Sequence, residues 1–316
     1  MEYNNMEKLR TILVEELRKS RTGKPILLPF EKNLLHNLIF EDNMFAESLE
    51  NVLHLIDFNN VSFDGFRVQD YENNFVGLHG VKINPQTVSE KDLTDATLED
   101  VEFIGSFDYV CVMGANFKGS KGAKINPQTI YNKNLNGTVC ADVEFIGYFD
   151  DVNVIEADFK GSKGAQINPQ TLFNFSLEET ICADVEFIGS FDAINITRTN
   201  FEGSKGAQVD PQTIHLKMMH GTVCSDVEFI GSFDEVNIEK ASFKGSKGAK
   251  IDPQTIHERN LYGVDCCDVE FTGPFDDVYV EDTKFEGSNY EEIINYENEF
   301  RQKVRKLVLK YDKENS

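Results

Sequence analysis

Four cysteines, Cys140, Cys182, Cys224 and Cys266, recur 42 residues apart, and thiolates in series can hold zinc or close disulfides. The phrase that begins Gly119-Ser120-Lys121-Gly122 returns at Gly161, Gly203 and Gly245, and glycines around a lysine can cradle phosphate. A third phrase, Asn/Asp-Pro-Gln-Thr, starts at Asn84, Asn126, Asn168, Asp210 and Asp252, where amide side chains could line a ligand loop. Carboxylates form the last set: Asp108, Asp150, Asp151, Asp192, Asp234, Glu235, Asp276 and Asp277 each follow a phenylalanine by one or two residues. Histidine, the commonest general base, is scattered at His36, His54, His79, His215, His220 and His257 without a companion acid or nucleophile in register.

Every one of these motifs except histidine shares a single period, and that period has to be explained before any chemistry is assigned. Val-Glu-Phe begins at Val101, Val143, Val185, Val227 and Val269, so a 42-residue unit runs five times without insertion or deletion between Val81 and Gly287. The length also suits a β-propeller blade, but the inner spacing does not. Within one unit the apolar positions are Ile125, Ile130, Leu135, Cys140, Phe145, Phe149, Val154 and Phe159, and the next unit restarts at Ile167. Steps of five, with one of four and one of eight, describe short sides that each turn a corner. Four sides close a coil, so each unit makes two coils, one of them short by a residue and the other carrying a three-residue loop. All five copies keep these eight columns apolar, and phenylalanine fills three of them completely.

Ala115-Asn116-Phe117-Lys118-Gly119 and Ala157-Asp158-Phe159-Lys160-Gly161 resemble the A-(D/N)-(L/F)-X-X unit of the pentapeptide-repeat family, and the likeness covers about two thirds of the chain. The resemblance implies an all-β solenoid, a right-handed quadrilateral β-helix, here of about ten to eleven coils. Residues 1–52 read as a helical or irregular N-terminal cap, 53–287 as the β-helix and 288–316 as a C-terminal α-helix. Leu9, Ile12, Leu13 and Leu17 lie at helical spacing, and so do Tyr296, Phe300, Val304, Leu307 and Tyr311, which suits helices that cover open coil ends. Ser288 and Glu291 form a capping box for the second helix, whose basic residues Arg301, Lys303, Arg305, Lys306 and Lys310 gather toward its C-terminus. One column resists: Lys91, Lys133, Phe175, Lys217 and Arg259 occupy a corner that expects a small residue, which predicts a bulge or open corner.

The coil also reassigns the motifs. Equivalent cysteines two coils apart lie ~9.6 Å from one another, too far for a zinc site or a disulfide, so they are core, whereas Cys111 and Cys267 face outward. The Pro-Gln-Thr phrase is a corner device, and the Gly-Ser-Lys-Gly phrase is the three-residue loop. No catalytic residue, cofactor or metal site is expected.

The chain carries 31 Lys and Arg against 54 Asp and Glu, a formal charge of −23. That argues against direct binding to nucleic acid or an anionic membrane and for a basic protein partner. No run reaches ~18 apolar residues and the N-terminus has no leader pattern, so a cytoplasmic protein is the expectation. The eight carboxylates named above form one persistently negative wall, with only neutral or acidic residues expected between them. Two functions follow as expectations. One is an acidic nucleic-acid mimic acting on a DNA- or RNA-handling enzyme, such as a topoisomerase or a defence nuclease. The other is a scaffold or host-interaction protein without mimicry. A homodimer through the C-terminal helix is a further possibility of the sequence.

Overall fold

The apolar columns point inward and build a parallel coil. The structure is a computed structural model and describes residues 80–314. The expected N-terminal cap and the first coil ahead of the repeats lie outside these residues. By internal packing the chain divides into two units, one of residues up to Asn153 with Ala157–Ala165, the other of Val154–Glu156 with Gln166 onward.

In the first unit, Lys82–Ile83 pairs in parallel with Glu102–Phe103, and Lys124–Ile125 pairs with Glu144–Phe145. In the second, Gln166–Ile167, Gln208–Val209 and Lys250–Ile251 pair in parallel with Glu186–Phe187, Glu228–Phe229 and Glu270–Phe271. Single bridges continue the ladder on the other sides at steps of 19 residues, as in Asp92 with Cys111, and 23 residues, as in Asn116 with Val139. These are the short coil and the long coil read from the spacing. Each strand lasts only two residues because a corner follows at once. The expected fold class, a quadrilateral β-helix, is the one observed.

Packing alternates by layer. In one coil of each repeat the three phenylalanines meet as a triangle: Phe145, Phe149 and Phe159 have centroids 5.1, 5.6 and 5.7 Å apart, and Phe187, Phe191 and Phe201 are 5.1, 5.7 and 5.6 Å apart. Aliphatic residues and a buried cysteine fill the coil between, so bulky and slender layers interdigitate. Buried Thr138, Thr180 and Thr222 donate to the backbone oxygens of Val112, Val154 and Ile196 at 2.8–2.9 Å, which satisfies hydroxyls that would otherwise be stranded in this core.

The reluctant column is an open corner, as its charge requires. Both Asn132 and Lys133 adopt left-handed φ, and the pairs Glu90 and Lys91, Asn174 and Phe175, Leu216 and Lys217, and Glu258 and Arg259 do the same. Two consecutive left-handed residues throw the side chains outward. The glycine loop has an equally local cause. Gly164 has φ +72 and stands so close to the coil below that a Cβ would lie 2.6 Å from the Phe145 oxygen, so no other residue fits.

The helix α1 (Tyr290–Glu314) covers the last coil differently from the expectation. Its hydrogen-bonded and aromatic anchors to the coil are at its start. The Asn289 amide accepts from Phe271 N at 2.7 Å and donates to Phe271 O at 2.9 Å, imitating the next strand of the ladder. Tyr290 stacks on Phe285 with centroids 3.8 Å apart and meets Phe275 edge-on at 4.8 Å. Tyr296 and Val304, expected to take part in the cap, are exposed instead. A helix with Tyr296 and Val304 turned to solvent does not lay its whole apolar stripe on the coil, although Arg301 still reaches Asp276.

Candidate interaction surface

The carboxylates occupy one kind of turn. After each inward Phe107, Phe149, Phe191, Phe233 and Phe275 the chain makes a two-residue corner whose second residue, Tyr109, Asp151, Ala193, Glu235 or Asp277, has φ between 57 and 62. Left-handed φ tolerates Asp and aims both central side chains outward. Asp150, Asp151, Asp192, Asp234, Glu235, Asp276 and Asp277 are exposed, and Asp108 is half-buried. Within the first unit the structure brings Asp108, Asp150 and Asp151 to this corner, and within the second it brings the remaining five.

The turns are held by the Pro-Gln-Thr phrase from the coil before. Asn126 Oδ1 accepts from Gln128 N at 3.0 Å, and the Gln128 amide then donates to Tyr148 O at 3.1 Å and Asp150 O at 2.6 Å. Gln86, Gln212 and Gln254 make the same pair of bonds to their own acidic corners. The glutamine is thus a staple between coils, a role that its recurrence beside proline hinted at without specifying.

The wall is less uniformly negative than expected. Lysines from the open corner reach back across it: Lys133 Nζ lies 3.8 Å from an Asp151 carboxylate oxygen and 3.4 Å from Asp150 O, and Lys217 Nζ donates to Asp234 O at 3.3 Å and Gln212 Oε1 at 2.6 Å. Arg301 of α1 pairs with Asp276. The expectation of only neutral or acidic neighbours is therefore corrected, because a long cation thrown outward at one corner spans to the next coil. Such exposed pairs contribute about 0–1 kcal/mol each, yet they lower the local charge. On the first side, Lys82, Lys124 and Lys250 pair with Glu102, Glu144 and Glu270 at 2.9–3.3 Å, and Gln166 and Gln208 donate to Glu186 and Glu228 at 2.7 Å. Those rungs are paired scaffolding.

The cysteine series is core. Cys140, Cys182, Cys224 and Cys266 are fully buried, and burial pushes each thiol far above its usual range. Cys111 and Cys267 are half-buried and free. Among the described residues no group of His, Cys, Asp and Glu is arranged to hold a metal ion, and no helix is long and apolar enough to cross a membrane.

Two apolar features escaped the sequence reading. Ile104, Ile146, Ile188 and Ile230, three residues before each acidic turn's phenylalanine, are more than half exposed. Phe173, Phe175 and Leu216 are exposed in the second unit. The isoleucines could have been found as an apolar column that directly follows an inward one and so must face out.

No protein-family profile matches the chain, and no curated protein does. Similar solved structures include HetL, a pentapeptide repeat protein involved in heterocyst differentiation regulation from the cyanobacterium Nostoc sp. PCC 7120, at 11% identity over 62% of this chain and 84% of that one, with a TM-score of 0.18. QnrB1, a plasmid-mediated fluoroquinolone resistance protein, appears as two trypsin-treated point variants. One is 12% identical over 69% of this chain and 95% of its own, and the other 14% over 69% and 92%, each with a TM-score of 0.17. At these scores the fold rests on the coil geometry itself.

Proposed function

With the quadrilateral β-helix typical of pentapeptide-repeat proteins as the premise, we propose that this chain is a non-enzymatic protein-interaction module whose acidic turns imitate a nucleic-acid backbone. The partner in this reading is a DNA- or RNA-handling enzyme with a basic channel, a topoisomerase or a defence nuclease. The observation that carries it is the pair of outward carboxylates that the Phe-Asp turn presents at the same corner of successive repeats, as at Asp234 with Glu235 and Asp276 with Asp277. Where a turn holds two, with such turns ~9.6 Å apart, the corner has roughly one charge per 5 Å, against ~3.4 Å between phosphates of one strand. Displacing counterions from a basic channel would then drive binding.

A type II topoisomerase and a non-specific nuclease, each assayed on plasmid DNA with increasing protein, test this. Inhibition or protection is expected at about 50 mM salt and is expected to weaken steeply by about 200 mM. Replacing Asp234, Asp277 and Glu235 by their amides should abolish it. An effect that survives both the amide variant and the added salt would contradict the reading. The exposed Ile188 and Ile230 favour a second reading, a protein scaffold without mimicry, because exposed apolar columns do nothing for an imitation of phosphate.

A further inference from the structure

Three residues of the second unit break their columns at one corner. Phe175 stands where the other repeats have Lys91, Lys133, Lys217 and Arg259. Leu216 stands where they have Glu90, Asn132, Asn174 and Glu258. Ala193 is the small residue of a turn position held elsewhere by Tyr109, Asp151, Glu235 and Asp277. These departures are neighbours in space. Phe175 O accepts from Asn195 N at 2.9 Å, Ala193 N donates to Thr213 O at 2.8 Å, and Ile194 O accepts from His215 N at 3.1 Å, so the Asp192-Ala193 turn lies between the other two.

Architecture does not ask for them. Phe175 and Leu216 hold φ of 51 and 50, a left-handed backbone in which a bulky side chain is disfavoured and Asn is at ease. They are also 52% and 77% exposed, with Phe173 beside them at 42%, so burial does not offset that strain. The result is two apolar knobs, ~9.6 Å apart along the coil axis, with a low saddle at Ala193 between them. Carboxylates share this corner: Asp192 within the saddle, and Asp234 and Glu235 two coils on, just past Leu216. Phe175 also removes the lysine which in the equivalent position of the first unit reaches the acidic turn.

We infer that Phe173, Phe175, Ala193 and Leu216 form a docking site for a basic amphipathic helix of a partner protein. The spacing fits, because residues i and i+7 of a helix are ~10.5 Å apart and can straddle or meet the two knobs. The sign fits too, since lysines or arginines beside that apolar stripe would meet Asp192, Asp234 and Glu235. The same corner of a second copy is a poor occupant, because carboxylates would face carboxylates. The inference rests on the protein-interaction reading and is independent of the mimicry.

The test uses the full chain and a fluorescent 18-residue helical peptide with leucines on one face and lysines flanking them, read by anisotropy. Two control peptides replace the leucines by serine or the lysines by glutamate. The variants are Phe175→Lys and Leu216→Asn, the residues that sibling repeats use at these turn positions, and thermal melting guards their fold. Wild type should bind the Leu/Lys peptide saturably and both controls weakly. Each variant should melt no lower than wild type yet bind about tenfold more weakly or worse. Failure of wild type to bind, equal binding by the variants, or equal binding of either control peptide would each overturn the site. Amide substitution at Asp276 and Asp277, outside the patch, should leave peptide binding within about twofold while testing mimicry separately.

Discussion

Gly164 and Gly137 both have positive φ, but only one is indispensable. A Cβ at Gly164 would sit 2.6 Å from the Phe145 oxygen, whereas at Gly137 the nearest atom is 3.7 Å away, the Cα of Gly114. Gly164→Ala is therefore expected to lose about 1–3 kcal/mol by urea denaturation and Gly137→Asn less than about 1. Equal losses would show that φ alone matters. Phenylalanines separate in a similar way: Phe191→Ala should cost about 3–5 kcal/mol, and half-exposed Phe275→Ala clearly less. The buried thiols add a pH dependence. In the folded chain they stay protonated beyond the pH, near ~8.5, at which unfolded thiols ionise, so stability is flat below that pH and falls above it. The urea midpoint should drop between about pH 8 and 10, and the drop should be shallower in Cys182→Ala, whose shift arises from burial alone. Parallel pH curves for the two proteins would contradict this.

Elements are brief here, and their ends decide their stability. Each strand has two residues, so no strand is stable alone and each draws its stability from the coils above and below it. The last coil lacks one such neighbour, and Asn289 with Tyr290 supplies it. Asn289→Leu leaves the Phe271 N–H and C=O without the amide that pairs them, an expected loss of about 1–3 kcal/mol. Hydrogen exchange should locate the damage: amides from Phe271 to Phe285 should exchange faster while those near Phe191 stay protected. Uniform acceleration through the second unit would mean that α1 anchors far more than the final coil. The helix runs from Tyr290 to Glu314, and Tyr296 and Val304, two of the residues expected in its cap, are exposed. Helical spacing shows that Tyr296, Phe300 and Val304 share a face, and it does not show whether the helix lies against the coil or leaves it.

At the scale of the molecule, charge opposes folding. The chain carries a formal −23, and the exposed carboxylates of the acidic turns are only partly offset by lysines from neighbouring coils, so screening should stabilise the fold. The melting temperature should rise between about 20 and 500 mM NaCl, and less so in a variant with Asp234, Glu235 and Asp277 as amides. A melting temperature that falls with salt would mean that the ion pairs outweigh the repulsion. Burial is periodic in a solenoid, so the sequence by itself determined the coil lengths, the inward columns, the phenylalanine and cysteine core and the outward direction of the acidic turns. Tertiary structure alone decided what the outward residues meet. Long side chains choose partners on the next coil, some 20 residues away in sequence, which is how Lys133 came to lie beside Asp151 and the Gln128 amide to bond with the Asp150 oxygen. The same stacking sets Phe175, Ala193 and Leu216 side by side, though no repeat period connects them.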